Sequence, residues 1–134
     1  MLKFIPIKAH AGLVGFESPA AEYTQHKLDL DQLLIDHPSA TYIGIAEGES
    51  MKGDGIFSGD LLIVDRAQDI KDQDVVVANL NGVFVCKKID KGLGCLLSSA
   101  KGFPPYFLNE GDELQIEGVV TRSIRLHRPF KKQL

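Results

Sequence analysis

Val75-Val76-Val77-Ala78-Asn79-Leu80-Asn81-Gly82-Val83-Phe84-Val85-Cys86-Lys87-Lys88-Ile89 decides the fold class of this chain. Two runs rich in β-branched residues flank Asn81-Gly82, and Asn-Gly between such runs marks a two-residue β-hairpin. Side chains alternate along a strand, so Val83, Val85, Lys87 and Ile89 share one face. Phe84, Cys86 and Lys88 share the other. Lys87 is therefore an amine set among aliphatic neighbours, an environment that disfavours the ammonium form. Lys88 has no such pattern around it.

Working outward, Leu61-Leu62-Ile63-Val64-Asp65 is a short apolar run between polar turns, the pattern of a buried strand. Thr41-Tyr42-Ile43-Gly44-Ile45-Ala46 is a further strand, followed by a glycine-rich loop over 48–59. More strands are expected near Leu96-Leu97, near Leu114–Glu117 and over Gly118–Leu126. Residues 29–36 make one short helix, capped by Asp29 or Asp31 and ended before Pro38. Residues 1–20 lack sustained periodicity and contain Pro6, Gly12, Gly15 and Pro19, so they are expected to form an extended arm. The expected fold class is mainly β: a flexible N-terminal arm over 1–28 and a single β domain over 29–134.

Composition narrows the function. The 134 residues are 44% hydrophobic and 25% charged with a formal net charge of −3, as for a soluble globular domain and unlike a polyanion binder. No apolar run approaches the roughly 18 residues needed to span a bilayer. The start, Met1–Ile7, does not have the form of a secretory signal. A cytoplasmic protein is expected. Cys86 and Cys95 are then expected as free, partly buried thiols. The four histidines show no metal-ligand spacing, so no metal and no cofactor are expected.

Ser50, in Glu47-Gly48-Glu49-Ser50-Met51, sits where an apolar strand breaks into a glycine-rich turn, an exposed place for a nucleophile. A serine hydroxyl needs a base within hydrogen-bond reach. No histidine lies in a recognisable triad motif, and Gly-x-Ser-x-Gly is absent because residue 52 is Lys. Lysine serves when burial lowers its pKa from about 10.4 toward neutrality. Ser50 and Lys87 are therefore the candidate nucleophile and base. Gly48 allows close approach of the backbone, and the amides of Ser50 and Met51 are candidates for an oxyanion hole. A serine in such a turn is also an ordinary turn residue, and a lysine near a strand end ordinarily reaches solvent.

Gly48-Glu49-Ser50-Met51, then Gly59–Asp65, then Val85–Lys88 resemble the LexA/UmuD family of self-cleaving Ser–Lys peptidases (peptidase family S24). The segments Gly15–Tyr23 and His37–Tyr42 are similar to its UmuD-like branch. The resemblance covers about residues 14–126, with the motifs in order and Ser50 and Lys87 at the family's separation. It implies a twisted, homodimeric β domain with the arm laid across a catalytic cleft. It implies that Ser50 attacks one arm peptide bond while neutral Lys87 takes and returns the proton. It implies stimulation by a RecA filament on single-stranded DNA in the SOS response. The shortened protein would then assemble with a UmuC-type error-prone polymerase for translesion synthesis. Aligning Gly15-Phe16 with the family's cleavage position puts the scissile bond at Val14–Gly15. The family usually has Ala or Cys before the glycine, so Val14 departs from pattern. Ala11–Gly12 has the usual dipeptide but lies three residues early.

Residues 1–14 are too few for a helix-turn-helix module, so operator binding is not expected. The second class of reading is a non-enzymatic dimeric scaffold whose dyad is inert. Arg122, Arg125, His127, Arg128, Lys131 and Lys132 form a basic segment, expected to be a solvated terminus. Asp65, Asp69, Asp72 and Asp74 are expected in a turn between strands. Phe103-Pro104-Pro105-Tyr106-Phe107 is expected to be a stiff loop.

Overall fold

The structure, a computed structural model, describes residues 29–130. The candidate cleavage bonds Val14–Gly15 and Ala11–Gly12, the rest of the expected arm, and Lys131 and Lys132 lie outside the described residues. Contacts divide the chain between Asp36 and His37, with helix α1 in the first unit and the strands in the second.

α1 spans Leu30–Leu34, shorter than the expected 29–36. Asp29 is its N-cap, and the Asp29 amide donates to Gln32 Oε1 at 3.1 Å, the backward half of a capping box. Ile35 has already left helical geometry, at φ −118° and ψ 114°. Pro38 does not end this helix. It opens a separate 3₁₀ turn, Pro38–Ala40, whose first position suits a residue without an amide hydrogen.

Among the described residues seven strands form one antiparallel sheet: β1 (Thr41–Ile45), β2 (Leu61–Asp65), β3 (Val75–Leu80), β4 (Val83–Asp90), β5 (Cys95–Leu97), β6 (Tyr106–Phe107) and β7 (Leu114–Ile124). Their spatial order is β1-β2-β7-β3-β4-β5-β6. The β3–β4 hairpin turns on Asn81 and Gly82, at φ 53° and 86°, the paired left-handed geometry that Asn-Gly tolerates. All five β2 residues are buried, as the apolar run Leu61–Val64 requires of a strand covered on both faces, and Asp65 is buried with them.

Two expectations are corrected at the sheet. Residues 114–126 give one strand instead of two. Val77 pairs with Gly118 and Ala78 with Ile116, which leaves Glu117 as an extra residue. Val64 pairs with Val120 and Ile63 with Arg122, which leaves Thr121 as a second. These bulges let β7 bend and continue past a glycine that looks like a break in sequence. The expected loop over 103–107 also contains β6, whose Tyr106 and Phe107 pair with Leu96 and Cys95.

Leu62 and Val64 of β2 pack with Ala46, Met51 and Ile56 of the loop that follows β1, with Tyr42, Val77, Cys86 and Val120 against them. The loop over 46–60 thus closes one face of the sheet and contributes three residues to the core. That arrangement places Ser50, beside Met51, on a part of the chain fixed by packing.

Candidate active site

Met51 is 3% exposed and anchors the turn that carries Ser50. The Ser50 carbonyl accepts from the Ser99 amide at 2.8 Å, and the Asp54 amide donates to Ser99 Oγ at 3.1 Å. Gly53 lies so close to this segment that a Cβ there would stand 2.0 Å from the Ser99 carbonyl oxygen. Close approach, expected at Gly48, is therefore needed at Gly53. Gly48 instead occupies φ 89° with open space around it, so its role is the left-handed turn.

Lys87 projects from β4 to the same place. Its Nζ lies 2.8 Å from Ser50 Oγ and 2.8 Å from Ser98 Oγ. The Phe103 ring centroid is 5.9 Å from the amine. Burial holds the Lys87 pKa below the ordinary lysine value. The aliphatic residues responsible differ in part from those expected. Val83, at the hairpin tip, is 62% exposed and shields nothing. The cross-strand partner of Lys87 is Val76, which is fully buried. Among the described residues no carboxylate pairs with Lys87. Lys88 points elsewhere and pairs with Asp54 Oδ1 at 2.8 Å. Burial pushes the Asp54 carboxyl up, but its hydrogen bonds to Lys88 and Ser99 outweigh that and hold it low.

Ser50 and Lys87 line a cleft of about 600 Å³ together with Gly44, Ala46, Leu62 and Val77, and Arg66 and Glu117 lie at its wall. Among the described residues no carbonyl accepts from the amides of Ser50 or Met51. The arrangement holds a hydroxyl, a cation-averse amine and two available amides around one mostly apolar cleft. Such a set suits acyl transfer, in which a hydroxyl attacks a carbonyl and amides receive the developing oxyanion.

Ser98 is the residue that sequence reasoning missed. The β4–β5 ladder pairs Lys88 with Leu97, and one further step in that register sets Ser98 opposite Lys87. Only the register reveals it. Cys86 and Cys95 are free thiols, and burial pushes Cys86 up to about 11, which leaves it unreactive as a thiolate near neutral pH. Arg125, expected in a solvated terminus, is exposed but tied to the loop over 46–60. It donates from Nε to Asp60 Oδ1 at 3.0 Å, from Nη2 to Asp60 Oδ2 at 2.9 Å, and to the Gly55 carbonyl at 2.8 Å. Asp65 is likewise a buried strand residue and not a turn residue. It accepts from the Ala67 amide and Gln68, and its Oδ2 lies 2.6 Å from His37 Nδ1.

Comparison with known proteins agrees with this architecture. The model of the family described as Peptidase S24-like matches residues 5–121. Protein SamA of Salmonella typhimurium is 42% identical over 115 residues, covering 85% of this chain and 80% of SamA. Protein MucA of Escherichia coli is 36% identical over 125 residues, covering 92% and 86%. A LexA repressor from Vibrio atlanticus is 36% identical over 91 residues, covering 66% of this chain and 44% of the repressor. The chain belongs to the peptidase S24-like family, as its likeness to the LexA/UmuD peptidases implies. Among the described residues no helix is long and apolar enough to cross a membrane.

Proposed function

We propose that this chain is a self-cleaving serine peptidase of the UmuD type, with an arm over 1–28 and a catalytic β domain over 29–134. The observation that carries the reading is the 2.8 Å separation of Lys87 Nζ and Ser50 Oγ at the wall of an apolar cleft. Neutral Lys87 accepts the Ser50 hydroxyl proton as the oxygen attacks the Val14 carbonyl carbon. The amides of Ser50 and Met51 receive the oxyanion. Lys87 then gives its proton to the Gly15 amine as the Val14–Gly15 bond breaks, leaving an acyl group on Ser50. Water, deprotonated by Lys87, releases it. The open edge of β1, whose Gly44 lines the cleft, offers backbone groups to a peptide substrate.

Likeness to SamA and MucA, and membership of the peptidase S24-like family, support the biological setting of this reading. A RecA filament on single-stranded DNA stimulates the cleavage during the SOS response. The shortened homodimer then assembles with a UmuC-type polymerase for translesion synthesis. Intact mass of the purified chain, alone and with RecA, ATP and single-stranded DNA, tests this. Loss of residues 1–14 from the wild type, faster with the filament and absent from Ser50→Ala, is expected. Loss of residues 1–11 would move the bond to Ala11–Gly12. Equal cleavage of Ser50→Ala would remove the dyad from this reading, and no cleavage even with the filament would leave the inert scaffold.

A further inference from the structure

Two hydroxyls, not one, bracket the Lys87 amine. Ser50 Oγ and Ser98 Oγ each lie 2.8 Å from Nζ, and both serines are half-buried. Ser50 lines the cleft and Ser98 does not. The amine therefore has one hydroxyl from the cleft lining and a second from the end of β5. Ser99, next in the chain, acts elsewhere, since its amide and hydroxyl hold the Ser50 turn.

We propose that Ser98 is a positioning residue for Lys87, holding the amine so that its lone pair meets the Ser50 hydroxyl hydrogen. The inference rests on the Ser–Lys reading above. A neutral lysine amine has two N–H donors and one lone pair at the end of a rotatable chain. Where burial limits the access of water an N–H without an acceptor is costly, so the Ser98 oxygen fixes one donor and with it the direction of the lone pair. Once Ser50 has given up its proton, the same oxygen accepts from the ammonium. No bond to Ser98 forms or breaks. The cross-strand register holds it in place, since Ser98 stands opposite Lys87 in continuation of the Lys88–Leu97 pairing.

The sign of the effect separates this role from a merely structural one. A hydroxyl acceptor favours the charged amine over the neutral one, so Ser98 works against the burial that lowers the Lys87 pKa. Removing it leaves the amine neutral at lower pH but poorly aimed. The titration midpoint and the maximal rate should both fall. A change in fold stability alone lowers neither the midpoint nor the rate per folded molecule.

The test is a titration of Lys87 followed by ¹³Cε-lysine NMR in full-length chains that carry Ser50→Ala to prevent self-cleavage. Lys87→Arg in that background assigns the signal. Adding Ser98→Ala is expected to move the Lys87 midpoint down by about one pH unit, the size of a hydrogen bond to a charged group. With Ser50 intact, Ser98→Ala is expected to lower the maximal self-cleavage rate about tenfold. Ser98→Thr keeps the hydroxyl and should restore both to within about twofold. Ser98→Cys, matched in size, replaces the alanine variant if that one melts early. An unmoved Lys87 midpoint overturns the proposal whatever the rate does. Cleavage by the Ser50→Ala chain that stops on adding Ser98→Ala also overturns it, since Ser98 would then be the nucleophile. Failure of the Ser–Lys reading looks different: the midpoint moves with Ser98→Ala, while cleavage is absent or indifferent to Ser50.

Discussion

The loop over 46–60 meets two basic side chains of opposite design. Near its start, Lys87 meets two hydroxyls and no carboxylate, and burial lowers its pKa. At its end, Arg125 meets the buried carboxylate of Asp60 through two hydrogen bonds, which hold the Asp60 pKa low. Arg125 also lies over the Phe57 ring at 4.1 Å. The difference teaches what each cation is for. An arginine with a matched carboxylate keeps its charge and serves as a fastener. A lysine with only neutral partners is ready to lose its proton, as the proposed base must. Lys88, one residue from Lys87 and paired with Asp54, falls on the fastener side.

The largest effect that would break this contrast belongs to the base. Lys87→Ala and Ser50→Ala are each expected to reduce self-cleavage by at least about a hundredfold, read by intact mass, with melting temperature nearly unchanged or raised. A melting temperature that falls while cleavage persists would make Lys87 a fastener after all. Gly53→Ala comes next. Its Cβ would collide with the Ser99 carbonyl, so a stability loss of roughly 2–3 kcal/mol in urea unfolding is expected, together with slower cleavage as the Ser50 turn shifts.

Arg125→Ala removes the fastener and leaves Asp60 buried. The arginine is itself exposed, so the expected result is a lower urea midpoint, with cleavage per folded molecule within about threefold of wild type. Its pH dependence sharpens the point. Asp60 has a folded pKa below its unfolded value, so its stabilisation is full above the ordinary carboxylate range near about pH 4. It fades as pH falls through the folded value. Thermal unfolding against pH should show an acid limb in the wild type that is shallower in Arg125→Ala. The smallest effect is Lys88→Ala, a stability change of about 1 kcal/mol or less with cleavage retained.

Much of this was legible in the sequence, for identifiable reasons. β2 and the β3–β4 hairpin have strong local signals, an unbroken apolar run and an Asn-Gly turn, and both fall where those signals put them. Strand alternation set Lys87 apart from Lys88, and the two side chains do go to different partners. What stayed hidden depends on pairing between distant residues. β6 is two residues long and exists through its ladder with β5. The continuity of β7 depends on two bulges opposite β2 and β3. Arg125 looked like part of a basic tail because Asp60, its partner, is 65 positions away. Ser98 carries no motif and comes to Lys87 only through register.

The pH dependence of self-cleavage tests the proposed lysine base most directly. First-order rate constants for loss of the arm would be measured from about pH 6 to 11 on wild type, Ser50→Ala and Lys87→Ala. For a lysine base, the wild-type rate should rise about tenfold per pH unit and then level off below the ordinary lysine pKa near 10.4, with both variants silent throughout. A wild-type rate that is flat across this range, or a Ser50→Ala chain that cleaves like the wild type, would contradict it.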